Sequence, residues 1–330
     1  MPESVMRRDS SIDAVGGVLI IYMILTHVPP RLGGEYFACY EYLSAVLFFF
    51  MAWFYFKSGM FSHPVTLMNT LRKYIDKLIR PYLMYSLLVI VLGITLLYCN
   101  NGDIITYIEN QCLSYFYMSG AVDGNLPLWF LLSLFFVVII YNLKEEKEIS
   151  DKWMSIAAFV WFSILVLVKW FVKHNGGIFP VPYLFINVPL GLFFFIVGKH
   201  VKLRYFTAIL CGLIYSVSLL LLPVQFDFRT GDAVKLYMIF AYIPYALSGI
   251  ILFNYIFMHI PYVALVPFAF VGRNAMTIYV SHWLFIDLAR LTRMFFHLTY
   301  SQTLFLTFLY IVVGTFILIH AGKVLKVIKV

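Results

Sequence analysis

The sequence predicts an all-α polytopic membrane protein with about ten transmembrane helices and both termini in the cytoplasm. Three observations support this fold class. First, 62% of the residues are hydrophobic and only 12% are charged, whereas about a quarter are charged in a soluble domain. Second, apolar runs of about 20 residues, enough for a helix to cross a bilayer, recur along the chain. Third, these runs lack the alternating polarity of a membrane β-barrel.

The predicted spans leave no room for a soluble domain, so residues 1–330 are interpreted as a single transmembrane domain. The spans cover residues 12–29, 37–56, 80–99, 128–143, 153–173, 179–199, 203–222, 236–258, 264–290 and 302–321. No small-residue cleavage site follows the first run, which indicates a retained span. In the longest predicted external segment, residues 100–127, the stretch 104–117 is compatible with a short helix on the outer leaflet.

The distribution of basic residues predicts the orientation, because cytoplasmic loops hold the excess of Lys and Arg. With the N-terminus inside, seventeen of the 24 basic residues lie on the inner face and seven on the outer face. The outer residues are Arg31, Lys169, Lys173, Arg229, Lys235, Arg290 and Arg293. The net charge of +8 therefore reflects membrane topology, and no nucleic-acid partner is expected because no soluble basic face exists.

No motif indicates a bound metal or a phosphate-binding loop. The four cysteines have no CxxC or His/Cys spacing, and the glycines form no Walker or dinucleotide pattern. Cys99 and Cys112 flank one external loop, where we favour two separate small residues over a disulfide. The chain also lacks the internal symmetry of many transporters.

Ionisable groups inside the first span are the leading candidates for function, because burying such groups in hydrocarbon is unfavourable. Asp13 lies near the inner end of this span and His27 near the outer end. Span two brings Glu41 to a similar depth, so Glu41 could orient His27 as the carboxylate orients a general base. The alternative is that His27 caps its helix and Glu41 faces water.

A positive cluster follows span two at the inner face. Lys57 and Ser58 end an aromatic run, and the cluster continues with Arg72, Lys73, Lys77 and Arg80. Anionic lipid headgroups are the simpler interpretation of such a cluster. The alternative is a binding site for the phosphates of a nucleotide-like donor.

The segment 272–282 adds polar residues to span nine. Arg273 and Asn274 lie at its inner end, and Tyr279 and His282, three residues apart, share a helix face. A polar face inside a membrane bundle turns toward the interior or toward a wet cavity.

Five short motifs occur in order along nearly the whole chain. They are Ile12-Asp13 with Gly17 and His27, Phe54 with Ser58-Gly59, Arg80-Pro81-Tyr82, Leu128-Trp129-Phe130-Leu131, and Gly272 to His282. Together they resemble the integral-membrane acyltransferase type 3 family. Its members transfer acyl groups, commonly acetyl, onto sugars and other extracytoplasmic acceptors.

One position departs from the pattern of that family. Eleven residues before the first-helix histidine the family usually has Arg, sometimes Lys, and this chain has Gly16. Eleven residues at about 100° each return to nearly the same helix face, so the expected cation would line the same path as His27. Either another cation takes that role, with Arg8, Lys57, Arg80 and Arg273 as candidates, or the activity is weakened or altered.

The resemblance implies a cytoplasmic acyl-CoA donor, such as acetyl-CoA, and no permanently bound cofactor. The implied acceptor is a hydroxyl of a glycan or glycolipid on the far side of a bacterial cytoplasmic (inner) membrane, with membrane lipid around the protein. The implied roles are His27 as base and Glu41 orienting it, donor binding by Lys57, Ser58, Arg80, Arg273 and Asn274, and support by Asp13, Trp129, Tyr279 and His282. The rival interpretations are a transporter or flippase of a lipid-linked glycan and a catalytically silent family member.

Overall fold

The structure is a computed structural model that describes residues 10–63, 65–122, 124–221 and 226–328. Within these residues the regular structure is helical apart from two isolated β-bridges. The helices are α1 (Ser10–Arg31), α2 (Tyr40–Leu47), α3 (Phe50–Met60), α4 (Leu67–Tyr74), α5 (Arg80–Cys99), α6 (Ile104–Phe116), α7 (Trp129–Glu146), α8 (Asp151–His174), α9 (Leu184–His200), α10 (Tyr205–Leu221), α11 (Leu236–Met258), α12 (Tyr262–Arg273), α13 (Ala275–Phe296) and α14 (Tyr300–Ile328). A π-helical turn joins α4 to α5, and a 3-10 turn precedes α7.

The helices confirm an all-α polytopic membrane protein. In the described part of the chain, seven helical segments are long and apolar enough to cross a membrane, and the bent pair α12 and α13 makes an eighth. The shorter apolar helices α9 and α10 would bring the number to the predicted ten. The sidedness of the two termini stays a prediction from the basic residues.

Two predicted spans are interrupted in the structure. Span two is divided between α2 and α3, and span nine bends by 66° between α12 and α13. At this bend the backbone N–H of Asn274 donates to the carbonyls of Phe270 and Val271, and its side chain donates to Phe270 at 2.8 Å. These bonds close α12 at Asn274. Hydropathy predicts one helix there because the apolar residues on both sides of Arg273 and Asn274 outweigh these two polar residues.

The short helix expected in the long external segment is confirmed as α6. Asp103 caps it, because its Oδ1 accepts from the backbone N–H groups of Ile105 and Thr106 at 3.0 and 3.1 Å. Cys99 and Cys112, on either side of this cap, are exposed and free.

Glycines allow the closest contact between helices. A Cβ atom at Gly17 would lie 2.0 Å from the carbonyl oxygen of Phe268, and one at Gly272 would lie 1.7 Å from that of Asp13. The backbones of α1 and α12 therefore touch, as small residues permit in membrane bundles. This contact fixes the inner end of α1 against the inner half of span nine.

Most basic residues on the predicted outer face are held by other residues of the fold. Lys169 and Lys173 contact Asp232, Arg31 and Arg290 contact Asp287, Arg229 contacts Asp227, and Arg293 donates to the carbonyl of Leu32. These contacts explain why cations remain on a face from which the charge rule depletes them.

Candidate active site

A cavity of about 590 Å³ lies at the end of the bundle that is predicted to face outward. Its walls come from the outer end of α1, the break between α2 and α3, the start of α7, and the loop before α11. Its aromatic lining includes Phe48, Phe50, Trp129, Phe226, Phe228, Tyr242 and Tyr279, and its charged lining is Asp227, Arg229 and Asp232. An apolar chamber of this size with a few polar groups is typical of a small-molecule site.

His27 lines this cavity from α1 and is partly buried. Its ring stacks on that of His282, with 5.7 Å between the ring centres and 28° between the planes. The ring of Trp283 approaches His27 edge-on at 5.6 Å. No hydrogen bond to either ring nitrogen of His27 occurs among the residues that the structure describes. The imidazole is therefore positioned by two rings of α13 and keeps both nitrogens for a bound molecule.

His282 is buried behind His27 and presents an unused nitrogen. Its Nδ1 lies 2.7 Å from the carbonyl oxygen of Tyr279. Because a carbonyl only accepts, Nδ1 carries a proton, and in the neutral ring Nε2 does not. Nε2 has no hydrogen-bond partner within the described residues. The histidine next to His27 is thus arranged to accept a proton or a hydrogen bond.

Tyr279 and Trp129 both line the cavity. Tyr279 is buried, and its hydroxyl donates to the carbonyl of Pro127 just before α7. The ring of Trp129 packs against Phe228, with 6.4 Å between the ring centres. Tyr279 therefore joins α13 to the start of α7, and Trp129 contributes an aromatic wall.

The structure does not bring Glu41 to His27. Glu41 lies in the first turn of α2, where its side chain is exposed, and it makes no hydrogen bond with His27. Only Leu47 of α2 is buried, so the first turn of this helix faces away from the core. The expected pairing of the base with Glu41 is therefore absent, and the alternative for Glu41, a carboxylate facing water, fits its exposure.

Instead, a second layer behind His27 contains residues that the sequence reasoning did not select. The guanidinium carbon of Arg31 lies 4.9 Å from the centre of the Trp283 ring. Two nitrogens of Arg31 each lie 3.2 Å from the carboxylate of Asp287, and Arg290 approaches the same carboxylate at 2.9 Å. The sequence could have indicated Asp287, because an acidic residue inside a predicted span is a candidate functional residue by itself. Asp287 also lies four residues after Trp283, on the same helix face.

The inner end of α1 carries a second polar group. Lys57 Nζ lies 3.1 Å from Asp13 Oδ1 and 5.1 Å from the centre of the Trp53 ring. A Cβ atom at Gly16 would lie 2.9 Å from Cη2 of Trp53 and 3.5 Å from Lys57 Nζ. The sequence analysis named four basic residues that could replace the family cation missing at Gly16. Among those that the structure describes, Lys57 is the one that lies beside Gly16. Arg8 lies outside the described residues.

The other residues expected to bind the donor are spread over the inner end of the bundle. Ser58 Oγ donates to the carbonyl of Phe54 in its own helix at 2.8 Å. Arg80 is largely exposed and pairs with Asp76 at 3.2 Å. Arg273 and Asn274 make their hydrogen bonds within α12. Arg273 directly follows Gly272, whose backbone packs on that of Asp13, so Arg273 is near the Asp13 and Lys57 pair, whereas Arg80 pairs with Asp76.

The two polar groups lie about 16 Å apart along α1, the rise of the eleven residues from Gly16 to His27. One group adjoins the outer cavity and the other the predicted cytoplasmic end. The helix bundle therefore offers one set of polar residues to each side of the membrane, with an imidazole at the outer set.

Comparison with known protein families agrees with this arrangement. A family model described as an acyltransferase domain matches residues 9–321, which is nearly the whole chain and includes both polar groups. Comparison with curated proteins and with solved structures gave no match. The chain therefore belongs to the acyltransferase type 3 family of membrane proteins.

Proposed function

We propose that this protein is a membrane O-acyltransferase that moves an acyl group, acetyl in the simplest case, from cytoplasmic acyl-CoA to a hydroxyl of an extracytoplasmic glycan or glycolipid. The observation that carries the proposal is the position of His27, whose ring lines the outer cavity and has both nitrogens available. The cytoplasmic (inner) membrane of a bacterium is the membrane implied by the family.

In the proposed reaction, the acceptor hydroxyl enters the outer cavity and donates its proton to a nitrogen of His27. The hydroxyl oxygen forms a bond to the thioester carbonyl carbon, whose oxygen becomes an oxyanion. When this intermediate collapses, the carbon–sulfur bond breaks, and the thiolate takes the proton from the imidazolium. The products are the ester and free CoA, so atoms and charge balance.

Trp283 supplies a hydrogen-bond donor in this proposal. Its indole N–H is buried and has no partner among the described residues, and its ring contacts His27. A donor fixed before the reaction stabilises the developing oxyanion more than water does, because the donor does not need to reorient. The guanidinium of Arg31 packs on the Trp283 ring and is held by Asp287, so both act as positioning residues.

The inner polar group would receive the donor. Lys57 and Arg273 provide positive charge at the end of the bundle predicted to face the cytoplasm, and phosphates of CoA are anionic. Lys57 also occupies the region next to Gly16. The position of this ammonium therefore favours the interpretation that the protein is an active enzyme over the interpretation that loss of the usual cation makes it catalytically silent.

The test is thiol release by purified protein supplied with acetyl-CoA and candidate glycans. His27→Ala should abolish release and leave the thermal unfolding profile and elution in detergent unchanged. His320→Ala is the matched control, because His320 is exposed and, within the described residues, its ring bonds to the carbonyl of Phe316 in its own helix. Movement of a lipid-linked glycan across vesicles without thiol release would show that the transferase proposal is wrong and the flippase interpretation is right.

A further inference from the structure

A second cavity of about 360 Å³ adjoins the outer cavity, and the two share Asp232 and Ala233 as a common wall. Its lining comes from the last two turns of α8 and from the loop before α11. The two cavities therefore lie side by side at this loop.

This second cavity holds more positive than negative charge. Lys169 and Lys173 both contact a single carboxylate oxygen of Asp232, at 3.0 and 2.8 Å. Lys169 is buried and also donates to the carbonyl of Thr230 at 2.5 Å, so it holds the loop. The side chain of Lys173 is 50% exposed. One carboxylate cannot neutralise two ammonium groups, so the lysine pair and Asp232 together carry a net positive charge, and Lys173 is the exposed member of the pair.

A stacked pair of aromatic rings lines the same chamber. The rings of Trp170 and His174 stack with 4.9 Å between their centres and 8° between their planes. A flat ring surface packs against the apolar face of a sugar ring, and an ammonium attracts a carboxylate or phosphate. The two features together are suited to one ligand that is both ring-shaped and anionic.

We infer that the second cavity binds an anionic sugar residue of the acceptor, next to the residue whose hydroxyl is acylated at His27. The inference rests on the proposed function for the identity of the neighbouring site. An open face of the stacked Trp170 and His174 pair contacts the sugar ring, and Lys173 contacts its carboxylate or phosphate. Lys169 and Asp232 keep the loop and Lys173 in place.

The test compares tetragalacturonate, which carries one carboxylate per sugar, with its methyl ester, which has the same rings and no charge. Quenching of tryptophan fluorescence reports binding without acyl-CoA, and thiol release reports turnover. We expect tetragalacturonate to bind more tightly than the ester. Lys173→Gln should weaken its binding by about 3- to 10-fold, the range for losing one partly exposed charged hydrogen bond. Lys173→Arg should retain it.

The matched control is Lys235→Gln, because Lys235 belongs to the same loop region but lines neither cavity. It should leave binding unchanged. Trp170→Leu is a second variant that does not depend on charge, and it should weaken the acid and the ester alike. Glucose 1-phosphate, measured in parallel, distinguishes a phosphate from a carboxylate as the preferred anion.

The outcomes separate this inference from the proposed function. Equal binding or turnover of the acid and the ester, or no effect of Lys173→Gln, would overturn the inference and leave the transferase standing. Selective binding of the acid without turnover of any acceptor would support the second cavity and count against the transferase. Occupancy by phosphatidylglycerol in nanodiscs, with no binding of either anionic sugar, would also overturn the inference, since the site would then hold a lipid headgroup.

Discussion

Adding a single methyl group at Gly16 tests whether Trp53 and Lys57 fill the place of the usual family cation. In Gly16→Ala the new Cβ would lie 2.9 Å from Cη2 and 3.2 Å from Cζ3 of Trp53. Trp53 is fully buried, and its indole nitrogen donates to Asn254 at 3.0 Å, so the ring has little freedom to move. The methyl group therefore overpacks this contact.

The magnitude follows from two opposing effects. Overpacking of a well-packed interior destabilises by about 1–3 kcal/mol. Replacing glycine by alanine inside a helix stabilises by about 1 kcal/mol. We expect Gly16→Ala to lower the free energy of unfolding by about 0–2 kcal/mol. Gly16→Arg should be worse, because its guanidinium adds a like charge close to Lys57, and two such charges 4 Å apart repel by about 4 kcal/mol at an effective dielectric constant near 20.

The assay is unfolding in detergent together with thiol release, and Gly212→Ala is the control. A Cβ at Gly212 would meet only Leu252 Cδ1 at 3.5 Å, an ordinary contact, so this helix substitution should be neutral or stabilising. Lys57→Arg should keep activity and Lys57→Met should lose most of it. Higher activity in Gly16→Arg with a normal fold would refute the reasoning, because it would mean that the place of the cation is vacant in the natural chain.

Three further predictions concern the outer end of the bundle. Trp283→Phe keeps a ring beside His27 but removes the indole N–H, so kcat should fall by about 10²-fold with little change in KM; an unchanged kcat would exclude Trp283 as a donor. Asn187→Ala removes hydrogen bonds to two serines and to a loop carbonyl, and should lower the unfolding free energy by about 2–3 kcal/mol in a denaturation experiment. Burial raises the pKa of Asp232, but its hydrogen bond from Lys173 and the nearby second ammonium more than offset this and hold its pKa below the ordinary value. The loop before α11 should therefore be fully held in place above pH about 4 and become more susceptible to proteolysis as the pH falls further. In Asp232→Asn this susceptibility should depend less on pH.

The parts of the site that the sequence could predict are those that stand out against an apolar background. A histidine near the end of the first span, and a Tyr and His three residues apart in span nine, are rare polar groups in hydrocarbon. The structure places His27 and His282 in contact and puts Tyr279 on the same cavity. The length and composition of the apolar runs likewise allowed the all-α polytopic fold to be predicted.

The partners of these residues could not be predicted, because they depend on which helices approach each other. Aromatic residues make up 19% of the chain, so Trp283 does not stand out until α13 is seen beside α1. Glu41 was a reasonable partner by depth along its span, but depth does not determine the direction in which α2 faces. The same limit applies to the four candidate cations, since only the approach of α3 to α1 brings Lys57 to Gly16.

The touching backbones of α1 and α12 have a consequence for the distance between the two imidazoles. His27 lies ten residues after Gly17, and His282 lies ten residues after Gly272, so the rings stand at equal chain lengths from one crossing point. A methyl group introduced at that crossing would push α12 away from α1 and, because α13 directly follows α12, should change the distance between the two rings. The relative position of the two imidazoles therefore depends on two glycines that lie ten residues away from them along the chain.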